Sequence, residues 1–302
     1  MKIRPRRLLE SPYAHLTLVA LIWAGNILLA RAVHEQITPV SLNFWRWGVS
    51  SLVFVPLLAP QLWAARRIIL RDWKVFVVLG TMGVALFHSL LYVALSMTLA
   101  MNVSIISSMT PIVIVLIAWA WIGERLSPRQ GLGVLISLIG VLAIISRGDP
   151  SVLLHLRMNP GDLVALVTVP MWGTYTVLLR RYKSELPGAT MLAAIILVGT
   201  LLLLPVFIYD ELAGARSSYN AATLGTILYV SLLGSVLAYW LWNRAVAIVG
   251  ANRAGLFLHL IPVFTAAMAV AFLGEQPHLY HALGIALIFG GIYFVTGRRA
   301  TA

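Results

Sequence analysis

The chain has 302 residues, of which 60% are hydrophobic and only 11% charged, and its mean hydropathy is +0.92. Soluble domains carry roughly 25% charged residues, so a globule of this length could not cover itself with polar surface, and the lipid bilayer must be the main solvent. The net charge of +12 is spread over loops rather than gathered on one face, so no nucleic-acid partner is expected; the absence of cysteine excludes disulfides and thiolate chemistry.

In chain order, a basic segment, 1–12, precedes ten apolar runs near 13–33, 40–60, 74–95, 100–122, 130–146, 162–180, 189–209, 222–244, 253–273 and 280–297. Each is about long enough for a helix to cross a bilayer core of about 30 Å. A linker, 147–161, separates two groups of five, and 298–302 form a tail. The fold expected is an all-α integral membrane protein with ten transmembrane helices, the repeats spanning 13–146 and 162–297. The basic start followed by Tyr13 to Ala30 has the outline of a secretory signal, but its removal would spoil the charge pattern described next, so the segment is expected to be retained.

With ten spans, seventeen of the 22 Lys and Arg fall on one side, including Arg66, Arg67, Arg71, Lys74, Arg125, Arg129, Arg180 and Arg181. The other side has Arg31, Arg147, Arg157 and Arg216. The positive-inside rule then places both termini in the cytoplasm. Arg46, about six residues into the second span, is expected to snorkel outward.

The chain also matches itself. At a shift of 151, Pro111 falls on Pro262, Gly123-Glu124 on Gly274-Glu275 and Gly140 on Gly291; at a shift of 149, Trp23 falls on Trp172. A five-helix unit repeated in tandem enters the membrane from opposite sides, an arrangement suited to alternating access around a shared central cavity.

Polar side chains aligned on one face of a span mark such a cavity, because hydrocarbon offers them no partner. In the fourth span Met101, Ser104, Ser108 and Pro111 form one helical stripe, and Asn252, Gly255, His259 and Pro262 occupy the equivalent places in the ninth. The third and eighth spans add His88 and Tyr92, then Tyr239, Trp242 and Asn243; the first and sixth add Trp23 and Asn26, then Trp172 and Tyr175. Of these, Trp23, Asn26, His88, Tyr92, Met101, Ser104, Ser108, Trp172, Tyr175, Tyr239, Trp242, Asn243 and His259 are the substrate-binding candidates, with Pro111 and Pro262 as hinges because each lacks a backbone donor. Glycines in the fifth span (Gly131, Gly133, Gly140) and the tenth (Gly284, Gly290, Gly291) read as close packing within one chain, hence a monomer over a homodimer. Every carboxylate lies at a span end or in a loop, so proton coupling could run only through His88 or His259, and a facilitative carrier is favoured.

Trp23-Ala24-Gly25-Asn26, Pro111 with Gly123-Glu124, and the Gly-Glu recurrence at 274 resemble the drug/metabolite transporter superfamily, EamA-type. Within it the chain is similar to the ten-helix bacterial exporters of aromatic amino acids. The resemblance implies that helices 1, 3, 4, 6, 8 and 9 surround the cavity while 5 and 10 pack peripherally. It also implies residence in the cell inner membrane and export of small molecules: amino acids, preferably aromatic, and amphiphilic cations. Alternatives are a proton-coupled carrier of another metabolite or drug and a nontransporting scaffold or receptor. A membrane enzyme would need a convergent catalytic set, which the sequence lacks; no metal or other cofactor is expected.

Overall fold

The computed structural model describes residues 11–98, 100–155, 159–214, 216–273, 276 and 278–296, with the backbone alone for 100, 101, 269, 272 and 273. Residues 1–10 of the expected N-terminal segment, the expected tail 298–302, Arg157 and the Gly274-Glu275 motif lie outside the described residues. Among those described, all regular secondary structure is helical.

The helices begin where the sequence supplies starting chemistry. α1 (Pro12–Val33), α2 (Pro39–Leu57), α6 (Pro128–Ile145) and α7 (Pro160–Arg181) each open on a proline; its missing N–H costs nothing there, because the first turn has no acceptor for it. Ser127 with Gln130 closes a capping box on α6, and Asn159 with Asp162 does so on α7. α3 (Ala59–Arg71) follows α2 at a 99° bend. α3 is a short, largely exposed amphipathic helix between the second and third apolar runs, so the second span ends at Leu57 instead of the expected residue 60.

The remaining long helices are α4 (Trp73–Met97), α5 (Ala100–Ser107 and Thr110–Ile122), α8 (Gly188–Leu212), α9 (Ala221–Val249), α10 (Ala251–Leu256, Phe257–His259 and Leu260–Leu273) and α11 (Leu279–Thr296). Among the described residues eight helices are long and apolar enough to cross a membrane, or nine if the bent pair α2–α3 counts as one span. Large apolar side chains such as Leu52, Leu116, Trp119 and Leu135 are exposed on the outer surface, where only lipid can cover them.

Glycine decides two local features. Gly123 ends α5 at φ 66°, a left-handed conformation that suits glycine; Gly123 N–H donates to Trp119 O and Glu124 N–H to Ala118 O, each at 3.2 Å. This is a Schellman cap, the physical content of the Gly-Glu motif. Where α6 crosses α11, a Cβ on Gly133 would lie 2.7 Å from Gly291 O and one on Gly140 would lie 2.6 Å from Gly284 O. These glycines pack intramolecularly, as the sequence spacing suggests, whereas Gly131 and Gly290 have open space around them.

Four helices are irregular in matched pairs. α4 contains a π turn at Thr81–Ala85 and α9 one at Leu232–Leu237, 151 positions on. α5 breaks at Ser108–Met109 and α10 narrows to a 3-10 turn at Phe257–His259, whose last residue lies 151 positions after Ser108. Such irregularities free backbone carbonyls from the helical ladder, and the freed carbonyls build the site.

Candidate functional site

At the α5 break Ile112 N–H donates to Met109 O at 3.0 Å, so Ser108 O loses its usual helical donor four residues on. His259 Nε2 supplies one at 3.0 Å, while His259 Nδ1 is bonded to Ser137 Oγ on α6. A carbonyl only accepts, so Nε2 carries the proton and Nδ1 accepts from the serine. Pro111 and Pro262 each follow a break within the first turn of the next helical segment, where a missing N–H is tolerated.

The π turns do the same in the centre of the molecule. Gly83 O accepts from the Tyr239 hydroxyl at 2.5 Å. Gly234 O, its counterpart 151 positions later, accepts from Trp23 Nε1 and from Arg46 Nη2, each at 3.0 Å. Arg46 does not snorkel: it is fully buried, with Nε donating to Ser235 Oγ at 2.6 Å and Nη1 donating to the Tyr92 hydroxyl at 3.0 Å and Asn26 Oδ1 at 3.3 Å. The expectation failed because acceptors from α1, α4 and α9 meet the guanidinium inside.

Beside this cluster lies a cavity of about 450 Å³. Trp23, Asn26, His88, Ser104, Ser108, Trp172, His259 and Pro262 line it, as do Phe87, Leu91, Thr168 and Thr265. It reaches the surface at Arg31, Arg147, Tyr280 and His281. The tips of α6 and α11 therefore help form the mouth, and α9 does not line it; the resemblance had implied the reverse for these helices. The α9 rings are pressed instead into an aromatic plug at the inner end: Trp23 and Trp172 centroids lie 5.1 Å apart, Trp23 and Trp242 5.4 Å, Trp172 and Tyr239 5.5 Å. Tyr175 stacks on Trp172 at 5.1 Å and its hydroxyl donates to Asn243 Oδ1 at 3.0 Å.

The candidates thus divide into those on the cavity wall and those in the plug, Tyr175, Tyr239, Trp242 and Asn243, with Tyr92 held behind the wall by Arg46. Pro111 starts the segment after the break without lining the cavity, and the Met101 side chain lies outside the described residues. Sequence reasoning missed Arg46, Trp47 and Phe87. Trp47 is fully buried 5.0 Å from Tyr239 and 5.8 Å from His88; its sequence signal, an Arg-Trp pair inside an apolar run, was available.

Beyond the plug the chain is tied shut at its Arg-rich end. Arg71 bridges Asp72 and Glu185, both at 2.9 Å, and the Tyr182 hydroxyl donates to Asp72 at 2.6 Å. The Arg71 guanidinium, then the Tyr182 hydroxyl, lower the Asp72 carboxyl to about 2, so Asp72 stays ionised at every physiological pH.

Comparison with known proteins agrees with this architecture. The family model described as EamA-like transporter family matches twice, over residues 12–146 and 159–297. An uncharacterized transporter of Archaeoglobus fulgidus is 29% identical over 94% of this chain and 96% of its own length. A probable terminal-alkyne amino-acid exporter of Streptantibioticus cattleyicolor is 25% identical over 95% of each chain. A solved structure with 21% identity superimposes with a TM-score of 0.74, covering 95% of this chain and 97% of that one, a likeness of fold.

Proposed function

This chain belongs to the EamA-like transporter family and is a multi-pass membrane transporter, and we propose that it exports amino acids, preferably aromatic ones, by facilitative alternating access. In this reading ten spans form two inverted five-helix halves, 13–146 and 162–297, both termini are cytoplasmic, and the protein is a monomer in the cell inner membrane. The twofold family match and the paired π turns and breaks at a shift of 151 support the repeat. With the Arg-rich end cytoplasmic, the cavity faces outward and the plug closes the inner side.

One observation carries the substrate class: a cavity of about 450 Å³ walled by Trp23, Trp172 and Phe87 with isolated polar groups among them. That volume suits a single small solute, since ligand pockets span roughly 300–1,000 Å³, and aromatic walls favour a flat apolar side chain. The relative named as an amino-acid exporter points the same way. Facilitative operation fits His259, both of whose ring nitrogens are engaged in the neutral form.

The test is flux of a radiolabelled amino-acid panel in proteoliposomes with and without a pH gradient. Phenylalanine, tyrosine and tryptophan are expected to equilibrate and compete with one another, with no accumulation driven by the gradient. If another solute moves while these neither move nor compete, the substrate is wrong; gradient-driven accumulation would make the carrier proton-coupled, with His88 as the residue to examine.

A further inference from the structure

Among the described residues the charged side chains lining the cavity, Arg31 and Arg147, are both positive, and Arg46 stands one side chain behind its inner end. Arginine does not lose its proton inside a protein, and among the described residues Arg46 makes no ion pair. Its partners are the neutral acceptors of Ser235, Tyr92, Asn26 and Gly234. These bonds hold the guanidinium in place without cancelling its charge. Burying an unpaired ion costs several kcal/mol, and a fold that retains one retains a positive potential in a low-dielectric site.

Asn26 carries that potential to the cavity. Its Oδ1 accepts from Arg46 Nη1 at 3.3 Å and from the Tyr92 hydroxyl at 3.4 Å. Because the guanidinium only donates, the amide oxygen must face it, which leaves the Asn26 NH2 group for the cavity that this residue lines. Among the described residues the lining contains no Asp or Glu to pair with an ammonium group.

We infer that the inner end of the cavity is a carboxylate-binding subsite, in which Asn26 donates to the solute carboxylate and Arg46 is the positioning residue that orients Asn26 and supplies the positive charge. The inference rests on the transporter reading above and sharpens it: the cargo must carry a carboxylate, and amphiphilic cations are not cargo.

Isothermal titration calorimetry on the full chain in detergent tests this with two matched trios: L-phenylalanine, 3-phenylpropionate and phenethylamine; L-leucine, 4-methylpentanoate and isopentylamine. In at least one trio both carboxylate compounds are expected to bind at least about tenfold more tightly than the amine. Asn26→Asp places a carboxylate against Arg46 at unchanged size and should abolish or invert that preference. Arg46→Lys should retain its sign and Arg46→Gln should lose it, with size-exclusion profiles reporting folding; if Arg46→Gln does not fold, Asn26→Asp still decides. Amines binding as well as acids in both trios, an unchanged ratio in Asn26→Asp, or no binding of any carboxylate overturns the subsite. The same preference confined to the leucine trio upholds the subsite and sinks the aromatic reading instead.

Discussion

Two buried histidines line one cavity in opposite settings. His259 has a built-in partner at each nitrogen, a carbonyl freed by the α5 break and a serine on α6. His88, packed among Trp47, Phe87 and Tyr92, has none at Nδ1. In hydrocarbon the presence of a polar residue says little about its role, whereas the presence of its partners says a great deal. An imidazole bonded at both nitrogens is a strut between helices; one with a spare nitrogen, on a ring that lines the cavity, is the one that a change of rotamer can offer to an entering solute.

The same substitution made twice can break this comparison. His259→Phe keeps a ring but strands Ser108 O and Ser137 Oγ, and with about 1–3 kcal/mol for each buried group left unpaired the expected loss is about 2–6 kcal/mol, read as a clear fall in Tm of the detergent-purified protein. His88→Phe keeps the ring contacts and removes an unpartnered nitrogen, so Tm should hold or rise while affinity for the transported solute, measured by calorimetry, falls about tenfold, or about 1.4 kcal/mol. Equal losses of Tm in the two variants would erase the distinction between strut and ligand.

A second pair sharpens it through packing. Gly140→Ala forces a Cβ to within 2.6 Å of the Gly284 carbonyl, a backbone atom that cannot rotate away, and overpacking of this kind costs about 1–3 kcal/mol. Gly131→Ala on the same helix meets open space and should stabilise by about 0.5–1 kcal/mol, the usual advantage of alanine over glycine in a helix; thermal melts of the two variants side by side check both.

Much of the fold was legible because lipid forces spans to be long and apolar, and because Gly133 and Gly140, seven apart on α6, mark the face that meets α11. The stripe from Ser104 through His259 was legible for the same reason, since polar residues at helical spacing inside apolar runs are costly unless they share a wet interior. Arg46 was not. Its position near a span end suggests an easy escape to water, and what holds it inside, the carbonyl of Gly234, is 188 residues away and free only because α9 carries a π turn. No local pattern announces a π turn. α3 was missed because its mixed composition falls below any span threshold, and the retreat of Tyr239 and Trp242 from the cavity into the plug depends on how α9 sits against α1 and α7, which residue spacing does not encode.

The central claim is that the chamber walled by Asn26, His88, Trp172 and His259 is the solute path. The chain has no cysteine, so single cysteines report cleanly. Ser107→Cys, on the cavity wall, should react with a membrane-impermeant methanethiosulfonate added to the outside of intact cells and be protected by L-phenylalanine, while Leu116→Cys, exposed on the outer surface, should stay unlabelled. Labelling at Leu116 with none at Ser107, or labelling at Ser107 that no amino acid slows, would contradict the account.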